Sequence, residues 1–126
     1  MNNALKQVLV VEDEFDSMQM VSEILRYHGI DVVVAHNGKE CVGLLKDIHP
    51  TLVVTDLSMP EMDGWETLSA IRANPQTAMI PVVAMTAYHS VDVAQQALNA
   101  GFNAFFAKPI RPASFVESLT KLVLAE

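Results

Sequence analysis

The sequence predicts an α/β domain in which one parallel five-stranded sheet is covered by helices on both faces. Three observations carry this. Five short apolar runs, several rich in valine and isoleucine, show little alternation, as strands buried on both faces do. Segments with helical spacing lie between them in strict alternation, the pattern of a (βα)5 chain. The 126 residues, 51% hydrophobic and 18% charged, suffice for one core and leave no room for a second domain.

The first strand is read at Val8–Val11. The helix after it sets Phe15, Met18, Ser22 and Leu25 on one face, with Val21 and Ile24 beside it, and Gly29 stands where a helix-ending glycine belongs. Ile30–Ala35 is the second strand. Asn37-Gly38 precedes the second helix, whose stripe is Cys41, Leu44, Leu45 and Ile48, and Pro50 ends it. The third strand, Leu52–Thr55, runs into Asp56, and the third helix follows on Trp65, Leu68 and Ile71 until Asn74-Pro75 closes it. Ile80–Thr86 is the fourth strand. Ser90 caps a helix striped by Val91, Ala94, Ala97 and Leu98, which Gly101 ends. The last unit is the strand Ala104–Ala107, then Pro112 at a first helical position, then the stripe Phe115, Leu119, Leu122 and Val123. Crossovers are expected to be right-handed.

Charge narrows the function. Eight Lys and Arg face fifteen Asp and Glu, a net −7, the wrong sign for a binder that neutralises phosphates on DNA, RNA or anionic lipid. Cys41 is alone, so it forms neither an internal disulfide nor a CxxC pair. That suits a reducing compartment. Met1–Gln7 is too short and polar for a signal peptide, and no apolar stretch approaches the roughly 20 residues that span a bilayer. The expected location is the cytoplasm, without membrane insertion. His28, His36, His49 and His89 are scattered, with no pair at ligand spacing, which argues against zinc.

The strand ends hold the chemistry, because ligands of open parallel sheets bind beyond the carboxyl ends of the strands. Those ends read Glu12-Asp13-Glu14, Asp56, Thr86 and Lys108-Pro109. Taken singly, each has an ordinary explanation: a solvated acidic turn, a turn aspartate, a capping hydroxyl, a surface lysine. Taken together they are one cluster on one sheet edge. Crowded carboxylates call for a cation, and an all-oxygen donor set selects a hard ion, Mg²⁺ or alternatively Mn²⁺. A lysine and a hydroxyl beside the ion suit a phosphoryl group, and one carboxylate can itself attack phosphorus.

Four segments then meet a known pattern: VLVVEDE (Val8–Glu14), TLVVTDLSMPEMDG (Thr51–Gly64), IPVVAMTA (Ile80–Ala87) and FFAKPI (Phe105–Ile110). In that order they resemble the receiver domain of two-component response regulators, of the single-domain chemotaxis-regulator kind, along essentially residues 1–126. The resemblance, rather than any deduction from the residues, supplies a flavodoxin-like, doubly wound sheet of order 2-1-3-4-5.

The resemblance also implies the roles. Asp56 is the phosphoacceptor. Asp13 ligates Mg²⁺ directly, Glu12 directly or through water, and Ser58 through its backbone carbonyl. Thr86 hydrogen-bonds the phosphoryl group and moves towards it, Lys108 pairs with a phosphoryl oxygen, and Phe105 is the switching aromatic. Lys108-Pro109 is a cis peptide, and Ser58 and Tyr88 flank the site at positions that tune phosphoryl lifetime. The implied partners are a sensor histidine kinase or histidine phosphotransfer protein upstream and an effector protein downstream. The face of helix 4, strand 5 and helix 5 changes on phosphorylation. Such a protein assists its own phosphoryl transfer and dephosphorylation but turns over no separate substrate. With one receiver filling the chain, output is expected through another protein.

Three rivals are weaker. A haloacid-dehalogenase-type phosphatase needs a second aspartate where Ser58 stands. A non-phosphorylated pseudo-receiver would lack an acidic residue or the lysine. A flavin or nucleotide binder needs a glycine-rich cradle where Glu12–Glu14 is acidic. The remaining distinctive residues suit packing: Cys41 on the helix 2 stripe, Trp65 in core or semi-buried packing, and Met59, Met62 and Met85 near the active edge, the first two also candidates for a partner surface. Phe105 and Phe106 are consecutive strand residues and point to opposite faces.

Overall fold

The computed structural model describes residues 4–88 and 90–124. Met1–Asn3 of the polar N-terminus and His89 lie outside the described residues. The elements run β1 (Gln7–Val11), α1 (Phe15–Tyr27), β2 (Asp31–Ala35), α2 (Gly38–Leu44), β3 (Leu52–Asp56), α3 (Gly64–Ala73), β4 (Val82–Thr86), α4 (Val91–Ala100), β5 (Ala104–Ala107) and α5 (Pro112–Leu124). All strand pairs are parallel, and the order is β2-β1-β3-β4-β5, as the family resemblance led one to expect.

Strand period divides the core in two. Val8 and Val10 of β1, with Val54 and Met85, face α1 and α5, where Val21, Leu25, Phe115 and Leu119 cover them. Leu9 and Val11, with Val53 and Ala84, face α2, α3 and α4 and pack on Cys41, Leu68, Ile71 and Ala97. This two-sided burial is why the strands read as unbroken apolar runs.

The helix ends follow the sequence. Gly29 (φ 77°) and Gly101 (φ 116°) take the left-handed conformation after α1 and at the end of α4. Ser90 Oγ accepts from Val93 N–H, and Asn37 Oδ1 accepts from Glu40 N–H. Asp63 and Glu66 form a reciprocal capping box on α3.

Three details depart from the expected pattern. Phe15 is 70% exposed, and Ser17 is buried in its stead. Phe15 is the first residue of α1, and the burial of the helix begins only at Ser17 and Met18. Helix α2 stops at Leu44 rather than near Pro50: Lys46 and Asp47 close tighter i→i+3 turns onto Gly43 and Leu44, although Leu45 stays buried. On α4, Ala97 is buried but Val91 and Leu98 are exposed, so the inward stripe is Val93–Ala97.

Candidate functional site

The chain runs from β1 out to β2 and returns past β1 to β3, so the strand order reverses at β1 and β3. Glu12 and Asp13 leave β1 there, and Asp56 is the last residue of β3. A carboxylate oxygen from each of the three lies within 4.8 Å of the others. β4 and β5 extend the same edge, bringing Thr86 and Lys108 to it, and Lys108 N–H donates to the Thr86 carbonyl at 3.0 Å. The structure therefore brings Glu12, Asp13, Asp56, Thr86 and Lys108 to one sheet edge.

The lysine is the hub. Its Nζ donates to Asp56 Oδ2 at 2.6 Å and, in a very short contact, to Glu12 Oε1. Asp56 Oδ1 accepts from Ser58 N–H at 3.0 Å, and Glu12 Oε2 from Glu14 N–H at 3.3 Å. Glu12 is fully buried and Asp56 nearly so, whereas Asp13 is exposed. Burial pushes the Asp56 carboxyl above its ordinary range and the charge on Glu12 adds to this; hydrogen bonds from Lys108 and Ser58 pull the other way without cancelling it. Burial alone would lower the Lys108 ammonium, but its hydrogen bonds to Asp56 and Glu12 outweigh that and hold it above its ordinary value.

Backbone packing sets the loop that carries Ser58. A Cβ on Gly64 would lie 2.3 Å from the Asp56 carbonyl oxygen, and one on Gly38 2.2 Å from Thr67 Oγ1. Only glycine lets the loop after β3 fold back on Asp56, and lets the start of α2 close on Met62 and Thr67. Gly64 N–H then donates to the Leu57 carbonyl, and Gly38 N–H to that of Met62. In the sequence Gly64 is only the last residue of the TLVVTDLSMPEMDG segment; nothing in it signalled the approach to Asp56.

Other expected features fall into place. Lys108-Pro109 is cis. Phe106 packs edge-on against Phe115 on one side of the sheet, while Phe105 is half-buried on the other. Thr86 Oγ1 accepts from Tyr88 N–H at 3.1 Å, and the Tyr88 ring is exposed. Trp65 meets Phe102 edge to face, and Cys41 is buried. Met59 and Met62 are half-buried and Met85 is fully buried. A cleft of about 380 Å³ next to the site has Ser17, Met20, Ala87 and Lys108 among its walls.

The response regulator receiver domain model matches residues 8–120. The chain belongs to that family. An uncharacterised 14.6 kDa protein of Leptolyngbya boryana is 37% identical to this receiver over 97% of the chain and 93% of its own length. Hybrid signal transduction histidine kinase B of Dictyostelium discoideum is 33% identical over 93% of the chain, which covers only 6% of that kinase. Among solved structures, the receiver domain of sensor histidine kinase PA1611 from Pseudomonas aeruginosa PAO1 superposes with a TM-score of 0.86 at 25% identity, covering 94% of this chain and 97% of its own. That protein carries a magnesium ion in its active-site cleft. In this receiver the Glu12, Asp13 and Asp56 oxygens form a compact all-oxygen donor set, which suits Mg²⁺. Among the described residues no helix is long and apolar enough to cross a membrane.

Proposed function

We propose that this receiver is the phosphoacceptor of a two-component relay and that Asp56 takes the phosphoryl group. The observation that carries the reading is the Lys108 ammonium held between Asp56 and Glu12, beside exposed Asp13. Glu12, Asp13, Asp56 and the Ser58 backbone carbonyl would hold the metal, with Mn²⁺ as the alternative to Mg²⁺. Bound there, the ion supplies charge neutralisation for the transferring oxygens and the acidic cluster.

The chain's own groups do the rest. An Asp56 carboxylate oxygen attacks phosphorus in line. The bond to the donor's imidazole nitrogen breaks, its electron pair leaves with the ring, and an acyl phosphate forms. Lys108, already aimed at Asp56, pairs with a phosphoryl oxygen. The Thr86 hydroxyl gives up the Tyr88 N–H to hydrogen-bond the phosphoryl group. Phe105 moves into the space that Thr86 leaves, and the α4-β5-α5 face changes, a population shift driven by contacts that only the phosphorylated state makes.

The donor is a sensor histidine kinase or a histidine phosphotransfer protein, the reader is an effector protein, and the compartment is the cytoplasm. Residues 1–126 act as one receiver that turns over no separate substrate. Acetyl phosphate with Mg²⁺ should label the protein once, and Asp56→Asn should abolish the label. Full labelling of that variant would overturn the assignment. Serine at position 58, two residues after Asp56, leaves no second aspartate there for a phosphatase of the rival class.

A further inference from the structure

Helix α4 is held very differently at its two ends. Its C-terminal end is tied into the fold by Arg72 of α3. The Arg72 guanidinium donates from Nη1 to the carbonyls of Ala78 (3.0 Å) and Ile80 (2.6 Å), and from Nη2 to the Gly101 carbonyl (3.3 Å) and Asn103 Oδ1 (2.9 Å). Gly101 is the C-cap of α4. Asn103 also closes a two-way pair with Val82 at the start of β4, its Oδ1 accepting from Val82 N–H and its own N–H donating to the Val82 carbonyl. Between them Phe102 is buried and meets Trp65 edge to face, the ring centroids 5.6 Å apart.

Among the described residues, the other end has no such ties. The described hydrogen bonds of Tyr88 and of Ser90–Ala94 stay within residues 86–98: Tyr88 N–H to Thr86, and Val93 and Ala94 N–H to Ser90, apart from the helix's own ladder. Tyr88 is 78% and Val91 86% exposed, and Ala97 is the only fully buried residue of α4. A segment with few buried apolar contacts and only local hydrogen bonds moves at low cost, whereas a charged group with several fixed acceptors does not.

We propose that α4 works as a lever whose fulcrum is the Arg72 clamp: the Ser90–Ala94 end swings when Thr86 moves, while the Leu98–Asn103 end stays in place. This rests on the switch described under Proposed function and adds which end moves and what holds the other. It makes Arg72, whose hydrogen bonds to Ala78, Ile80, Gly101 and Asn103 touch none of the site residues, a positioning residue for signal output.

The test uses pairs of spin labels, one on Ser69 of α3 and the other on either Asp92 or Asn99 of α4, all exposed positions. Distances are measured with and without beryllofluoride and Mg²⁺, and the Thr86 and Phe105 resonances are followed in parallel by NMR. The expected result is a change of about 1–2 Å, typical of a helix shift, for the 69–92 pair and a smaller one for 69–99. Equal changes, or a larger one at 99, would overturn the lever. If neither distance nor the Thr86 and Phe105 resonances respond, the underlying switch fails instead; if the resonances respond and neither distance does, the lever alone fails. In Arg72→Ala the 69–99 distance should come to change with activation as much as 69–92. Asn103→Ala, which removes one of the four acceptors of Arg72 together with the acceptor of Val82 N–H, should do so in part and serves if Arg72→Ala does not fold. An unaltered 69–99 response in the folded variants would rule out the fulcrum.

Discussion

Asp56 and Cys41 are both buried ionisable groups, but their surroundings give them opposite uses. Asp56 has neighbours of both signs, and its net shift is upward. A carboxyl raised above its ordinary 3.8 on folding stabilises the fold fully below that pH, and the contribution is lost as pH climbs through the raised value. In a metal chelator at neutral pH, Asp56→Asn is therefore expected to resist urea better than the parent. Added Mg²⁺ should narrow the gap by stabilising the parent more. A variant that unfolds at lower urea in chelator would contradict this. Cys41 has no such neighbours, and burial alone lifts its thiol from 9.0 to about 12. Its contribution is likewise intact below pH 9 and lost on the way to about 12. The native protein should stay inert to a thiol-reactive disulfide reagent at pH 8 and react fully once denatured; prompt native labelling would show that the site opens.

At the scale of elements, caps and glycines set the loops that carry the site. The Asp63–Glu66 box starts α3 directly after the loop bearing Ser58. Asp63→Ala should lower stability by about 1 kcal/mol in urea titration, and phosphorylation should survive it. Gly64→Ala should cost more, about 1–3 kcal/mol as for overpacking, because its methyl group would meet the Asp56 carbonyl at 2.3 Å. It should also slow labelling, since the displaced backbone is that of the proposed acceptor, Asp56. If Gly64→Ala labels at the parent rate, the loop is more compliant than this packing implies. The strands, Gly29, Ser90, Gly101 and Pro112 were legible because local rules govern them: two-sided burial, capping oxygens, left-handed backbone and a fixed φ. Phe15, Val91 and Leu98 were misread because helical spacing says which residues share a face, not how far the sheet beneath extends. The cluster of Glu12, Asp13, Asp56, Thr86 and Lys108 was legible from the strand ends. The Gly64 approach and the Arg72 clamp were not, since each joins segments that only the folded chain brings together.

At the scale of the molecule, three of the fifteen acids, Glu12, Asp13 and Asp56, gather where a metal could link them. A ligand that binds only the folded state stabilises by RT ln(1 + [L]/Kd), about 2.7 kcal/mol at a hundredfold excess over Kd. Mg²⁺ should raise the melting temperature saturably, chelator should reverse it, and Glu12→Gln should shift the curve to higher Mg²⁺. A rise that matches an equal ionic strength of Na⁺ would show that the acids are merely screened.

The Lys108 bridge has a consequence for biosynthesis. The ammonium that gathers the carboxylates lies 96 residues after Glu12 and 52 after Asp56. A chain still on the ribosome presents its acids long before the cation that organises them. If Asp56 accepts phosphate with the help of Lys108 as proposed, competence arrives only once β5 and Lys108 have been made, so copies cut short before Lys108 should not draw phosphoryl groups away from finished ones.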